Sequence, residues 1–387
     1  MQNAETKEWL NLIAQALDIN SPGASPLAGE EWQGSLDNRS VRSPFALGAQ
    51  TALGIGNSAW KLKGMQYLVT FGNSYTDESR LLYFIEHQDA PPVGWRAPEN
   101  NVTSTGGRIW ARYVSDYTGA ALYNYAVSGA TCSNDITPRY FSPINDIFPS
   151  VDQYEIPAFI EDAYHQDPET GEPFLSLPRR ETVYSIWIGT NDLGNGAFID
   201  DSQVAGKTLL DYVECVLRAI EGLYDHGARY FVLMNVAPLD LLPLYALPEM
   251  GGVQGGPFWP DKPDNITQVS CRMRETVVAV NEIIELKIEG SMRHRYKGAS
   301  IALFDTYSLL TSMYYHPSQY FTGTEPPSVE GWVKHCDAQG QNCEEQPSPD
   351  SFMWYDELHP SEQTGRIIAQ HFVQVVEGVS AYTKYFD

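Results

Sequence analysis

Five short apolar runs, each followed by a turn or helix signal, constrain the fold of this chain more than any other feature: QYLVTF at 66–71, LYNYAV at 122–127, TVYSIWI at 182–188, RYFVLMNV at 229–236 and SIALFD at 300–305. Runs this short, apolar without strict alternation, suit strands buried on both faces. Between them lie patterns of helical period: IWARYVSDY at 109–117, SQVAGKTLLDYVECVLRAIEGLYDH at 202–226 and VSCRMRETVVAVNEIIELKIEG at 269–290, with SEQTGRIIAQHFVQVV closing the series. Strands that alternate with helices are joined by crossovers, and the result is a parallel sheet covered on both faces. The expected fold is therefore α/β, a three-layer α/β/α domain with five parallel strands that begins near Met65.

Residues 1–64 read as a separate arm. MQNAETKEWLNLIAQAL has the pattern of a short amphipathic helix with Trp9, Leu10, Ile13 and Leu17 on one side, and residues 18–64 are rich in Gly, Pro, Ser and Ala without a period. The catalytic unit is expected over 65–387. It contains two long Pro- and Gly-rich insertions, about 237–264 and 316–352, which carry Trp259 and Trp332, with Trp354 close by. Both insertions fall on the side where open α/β sheets bind ligands, so they are expected to wall the site. The three tryptophans read as packing residues rather than sugar platforms.

The formal charge of −24 repels nucleic-acid phosphates and anionic lipid head groups. Neutral or cationic partners are favoured, and neither a nucleic acid nor a membrane is expected as one. No apolar run reaches the eighteen residues of a membrane span, because FVLMNVAPLDLLPLYALP is interrupted by Asn235, Asp240 and several prolines. The first residues lack the basic, apolar, small-residue order of a signal peptide. Secretion is nonetheless suggested by Cys336 and Cys343. They stand in the polar loop KHCDAQGQNCEEQ, where a free thiol has no packing reason to be, and a local disulfide is expected. Cys132, Cys215 and Cys271 sit in apolar or helical surroundings and read as buried thiols. Neither HExxH nor a second close pair of ligands is present, so no metal and no cofactor is expected. Sequons at Asn38, Asn101 and Asn265 are compatible with secretion.

Acyl transfer by a serine needs an exposed hydroxyl, a histidine to take its proton, a carboxylate to orient that histidine, and donors for the oxyanion. Four places supply these parts in order. In FGNSYTD, Ser74 directly follows the run 66–71, and Gly72 permits a tight turn. In NYAVSGATCS, Gly129 lies just past a strand, where its N–H can meet an oxyanion. In IGTNDLG, Asn191 stands at another strand end. In WYDELHP, Asp356 precedes His359 by three residues, ahead of the last helix. Each signal is weak alone, since a Gly-Asn-Ser recurs at Ser58 in the arm and an Asp-x-x-His recurs at Asp162 and His165, which reads as a solvated helix end. Their joint order at successive strand ends is what carries weight.

That order resembles the SGNH (GDSL-type) hydrolase family, whose blocks are a Gly-Asp-Ser turn, a Gly, a G-x-N-D and a D-x-x-H. The correspondence runs from about Gln66 to Pro360. By this resemblance Ser74 is the nucleophile, His359 the base and Asp356 its partner. The N–H groups of Ser74 and Gly129 and the amide of Asn191 bind the oxyanion, and the fold is flavodoxin-like. Asn73 departs from the family's Asp, which removes a charge beside the nucleophile. FGNSYTDESR, LYNYAVSGATCSN and FPSVDQYEIPAF are further similar to the fungal acetylesterases of carbohydrate esterase family 16, secreted enzymes that deacetylate hemicellulose oligosaccharides. The resemblance implies a small-molecule or oligosaccharide ester as substrate, a monomer, and an extracellular location. Alternatives are a lipase or lysophospholipase with the same triad, a non-catalytic glycan-binding relative, and a glycosidase with paired carboxylates, although no such pair stands out.

Overall fold

All five runs are strands in a computed structural model that describes Trp60, Leu62 and residues 64–387 other than Ala338. They form β1 (Tyr67–Gly72), β2 (Ala121–Asn124), β3 (Thr182–Trp187), β4 (Tyr230–Met234) and β5 (Ser300–Phe304). A further strand, β6 (Thr383–Phe386), joins the same sheet. The order is β6-β5-β4-β3-β1-β2, parallel from β2 to β5, with β6 antiparallel to β5. Among the described residues the sheet thus has six strands rather than five. TKYF is too short to show a period, and it pairs only because the chain returns past β5 after its last helix. Every residue of β3 and β5 is buried, as two-sided coverage requires, whereas β2 at one edge alternates.

The flanking helices are α1 (Arg80–His87), α2 (Trp110–Thr118), α3 (Ile156–Tyr164), the short α4 (Thr190–Leu193), α5 (Leu209–Asp225), α6 (Ile266–Arg295), α7 (Thr306–Tyr315) and α8 (Glu362–Glu377). One group, α2 with α8, and another, α3 with α5 and α6, cover the sheet. Helix α5 starts at Leu209 and not near Ser202. Gly206 has φ +82°, and Thr208 and Asp211 form a reciprocal capping box that fixes the first turn. Ser361 caps α8 by accepting from the Thr364 N–H, so the helix begins directly after the His359–Pro360 segment.

The amphipathic pattern of residues 1–17 and Ser58 lie outside the described residues. Trp60, assigned to the arm, belongs to the core: it is 7% exposed, its indole N–H donates to the Val376 carbonyl at 2.7 Å, and its ring meets Tyr230 and Tyr385. Insertion 316–352 contains short paired strands. Ser328–Trp332 pairs in parallel with Phe352–Trp354, and Lys334–His335 pairs antiparallel with Glu344–Glu345. Trp259 and Trp354 are buried packing residues, as expected, and half-buried Trp332 stacks on His335 at 4.5 Å.

Cys336 and Cys343 are bonded as expected. The reading of the other three cysteines as buried thiols needs correction. Cys132 and Cys215 form a disulfide across 83 residues, and Cys271 is exposed. Cys132 lies in the loop after β2 and Cys215 within α5, so only the packing of α5 on that loop brings them together. A crosslink closing a loop this long restricts the unfolded chain by about 4.5 kcal/mol. The double variant Cys132→Ala/Cys215→Ala is expected to unfold at a clearly lower urea concentration, with a denaturant slope no smaller than that of the wild type because the freed chain exposes more surface; an unmoved midpoint would contradict this.

Candidate active site

The chain passes from β1 to β2 on one side and from β2 to β3 on the other, so loops diverge at the carboxyl ends of β1 and β3. Open α/β sheets have their crevice at such a switch point. Ser74 follows β1 and Asn191 follows β3, so both lie at this crevice. The tightness of the first turn rests on Gly72, whose φ is +148° and whose missing Cβ would sit 2.2 Å from the Trp187 carbonyl oxygen.

Ser74 and His359, 285 residues apart, meet here. The His359 Nε2 is 2.9 Å from the Ser74 Oγ, and its Nδ1 is 2.9 Å from both carboxylate oxygens of Asp356. Asp356 Oδ1 also accepts from the N–H groups of Leu358 and His359, which locks the Asp-x-x-His turn. All three side chains are buried, at 6%, 3% and 5% exposure for Ser74, His359 and Asp356. A hydroxyl bonded to an imidazole that is itself oriented by a carboxylate can be deprotonated as it attacks a carbonyl.

Tyr75, not singled out by sequence reasoning, ties the two halves together. Its hydroxyl donates to the Leu358 carbonyl at 2.7 Å, and its ring packs edge-on against both Trp187 and His359. Asn73 Oδ1 accepts from the Tyr75 N–H at 3.1 Å. An amide oxygen makes this turn contact as a carboxylate does, so Asn73 suits the position to which the resemblance assigns an Asp.

Two of the three expected oxyanion residues, Gly129 and Asn191, lie in segments fixed by hydrogen bonds. Gly129, at φ +92°, has its carbonyl held by Arg139 Nη1 at 3.0 Å. Asn191 is 8% exposed and donates one amide hydrogen to the Ala130 carbonyl at 2.8 Å, which leaves its second for another acceptor. Asp77 Oδ2 accepts from the Ser128 N–H at 2.8 Å, and Asp192 Oδ1 from the Cys132 N–H at 2.8 Å. Loop 127–132 is therefore pinned at almost every peptide. Asp77 and Asp192 stand inside the quoted motifs, but nothing in those motifs marks them as buried.

Insertion 237–264 reaches the triad through Phe258, whose ring centroid is 5.4 Å from that of His359 and whose carbonyl is held by Asn195 Nδ2. Insertion 316–352 lies along Phe352–Trp354, which leads into Asp356. The other Asp-x-x-His pair is not brought to the site. Nor is it a solvated helix end, because Asp162 is 4% exposed and accepts from the Gly94 N–H and the Tyr125 hydroxyl, both at 2.7 Å. Among the described residues no group of three His, Cys, Asp or Glu is placed to hold a metal, and no helix is long and apolar enough to cross a membrane.

Burial raises the Asp192 pKa to about 6, against the Cys132 N–H and the Arg139 charge, which favour ionisation. Burial likewise raises Asp240 to about 6, and burial together with the Asp356 charge raises Glu357 to about 7. These carboxyls hold their protons more tightly folded than unfolded, so the stability they contribute is fully present below about pH 4 and is lost as pH rises through 6 to 7. The thermal midpoint is expected to fall between pH 5 and pH 8. Asp192→Asn, which keeps the acceptor for Cys132, should flatten that fall, and identical pH profiles would exclude Asp192 as a contributor.

A profile of the family described as GDSL-like Lipase/Acylhydrolase matches residues 68–372. An acetylesterase of Hypocrea jecorina is 39% identical over 83% of this chain and 92% of its own length. An acetylesterase of Thermothelomyces thermophilus is 23% identical over 81% of this chain and 89% of its own length. Among solved structures, an acetylxylan esterase from Geobacillus stearothermophilus aligns with a TM-score of 0.34 at 14% identity, covering 82% of this chain and 96% of the other. With the family profile spanning most of the chain, the protein belongs to the GDSL-like lipase/acylhydrolase family and is a carboxylic ester hydrolase.

Proposed function

We propose that the protein is a secreted, monomeric acetylesterase that removes short acyl groups from hemicellulose-derived oligosaccharides through a covalent acyl-enzyme. The hydrogen-bonded series Ser74–His359–Asp356 is the observation that carries the mechanism. His359 Nε2 takes the Ser74 proton as Oγ attacks the ester carbonyl. The oxyanion is met by the N–H groups of Ser74 and Gly129 and the free amide hydrogen of Asn191. The protonated His359 then gives its proton to the departing sugar hydroxyl, and a water repeats the sequence to release acetate.

The acetyl preference is supported by the two fungal relatives named acetylesterase. A neutral sugar is supported by the charge of −24, which disfavours phospholipid and nucleic-acid surfaces. Two disulfides support an oxidising compartment. Rates on acetyl, butyryl and octanoyl esters, together with acetate release from acetylated xylo-oligosaccharides, test the reading. The acetyl ester and the oligosaccharide should be the best substrates; a rate that climbs toward octanoyl would assign the chain to lipid esters.

A further inference from the structure

The segment FPSVDQYEIPAF at 148–159 takes no part in the triad, yet its local structure is unusual. Val151–Glu155 form a π-helical turn ahead of α3. Such turns are rare and recur at functional sites, because they re-aim a side chain that a regular helix would direct elsewhere. The first amides of this turn bond to the oxyanion loop: the Val151 N–H donates to the Thr131 carbonyl at 3.1 Å and the Asp152 N–H to the Cys132 carbonyl at 3.0 Å. At the other end stands Glu155, with no exposure to solvent. Its Oε2 accepts from the Gly72 N–H at 2.8 Å and its Oε1 from the Val127 N–H at 3.2 Å. The Val127 N–H is shared with the Gly72 carbonyl at 3.1 Å, so the carboxyl sits astride the contact between the two segments.

Gly72 opens the turn that presents Ser74, and Val127 opens the loop that presents Gly129. Burying a carboxyl is costly, and burial pushes that of Glu155 well above the usual range. Packing alone would be met at less cost by an apolar side chain. A carboxyl, by contrast, offers two acceptor oxygens on one rigid plane to two N–H groups from different segments, the end of β1 and the loop after β2.

We propose that Glu155 is a positioning residue that sets the spacing between the nucleophile turn and the oxyanion loop, so that the Ser74 hydroxyl and the Gly129 N–H converge on one carbonyl carbon and its oxygen. This rests on the reading of Ser74 as nucleophile and Gly129 as oxyanion donor. The spacing matters most once charge has moved onto the oxygen, so its loss acts on kcat.

Glu155→Gln replaces one acceptor by an NH₂ group that must face the N–H of Gly72 or Val127. With p-nitrophenyl acetate as substrate, kcat is expected to fall roughly 10–100-fold, as for a small misalignment of reacting groups, with KM within about threefold. The rate of Ser74 modification by a neutral alkyl fluorophosphonate should fall in parallel. Phe159→Leu, in the helix that follows, serves as a control that disturbs packing alone and should keep kcat. A Glu155→Gln enzyme with kcat within about twofold of wild type overturns the proposal, as does an equal kcat loss in Phe159→Leu at matched stability. If the Gln protein does not fold, Glu155→Asp carries the same test: its shorter arm cannot span both N–H groups, and an unchanged kcat overturns the proposal equally. Ser74→Ala measured alongside separates the two failures. An active Ser74→Ala enzyme removes the underlying reading, whereas an inactive one beside a fully active Glu155→Gln removes only the positioning role.

Discussion

Ser74→Ala is expected to lower kcat for acetyl ester hydrolysis by roughly 10⁴–10⁶-fold while the protein keeps its fold. The hydroxyl is bonded to His359 and to no structural partner whose loss would open the sheet end. His359→Ala should fall by a similar factor, and the double variant should be no worse than either single one, because nucleophile and base act as a unit. His165→Ala, whose ring packs against Phe174 and beside Gly94, should remain near wild type. Steady-state kinetics with circular dichroism on each variant decides the matter. Comparable losses in His165→Ala, or appreciable turnover without Ser74, would remove the triad assignment.

Asn191 should produce the next largest effect. Replacing it by Ala removes one oxyanion donor, which costs about 10²–10³ in kcat with little change in KM, since the neutral ground-state carbonyl depends on it less. The structure sharpens the expectation for Asn191→Asp. The Asn191 amide also donates to the Ala130 carbonyl at 2.8 Å, so a carboxylate would face that oxygen as well as the developing oxyanion. Asp should therefore be at least as damaging as Ala near neutral pH. It should recover partly on acidification, when a protonated carboxyl can donate. If Asn191 were only a turn former, Asp would be the better tolerated substitute. Kinetics of both variants from pH 5 to pH 8 distinguish these outcomes, and a nearly active Asn191→Asp enzyme would refute the donor role.

What the sequence determined by itself was local. The strands β1 and β3 to β5 were legible because burial on both faces imposes an apolar run that needs no knowledge of the neighbour, and β2, though it alternates at the edge, carries a run nearly as apolar. The turns at Ser74, Gly129, Asn191 and His359 were legible because tight strand-end turns demand Gly, Asn and Asp at particular places. The pairing of Cys336 with Cys343 was legible for the same reason, both thiols lying in one short loop. Tertiary structure decided whatever depends on residues far apart in the chain. Cys132 reaches Cys215 only because α5 packs on the loop after β2, and β6 exists only because the chain returns along β5. Tyr75 meets the Leu358 carbonyl across 283 residues, and Glu155 meets Gly72 across 83. Buried polar groups such as Glu155, Asp77 and Asp192 carry no sequence pattern, because an acid on a solvated helix and an acid satisfied by buried backbone N–H groups are the same letter. What separates them is the set of donors the fold places around the carboxyl, and that set exists only once the sheet has formed.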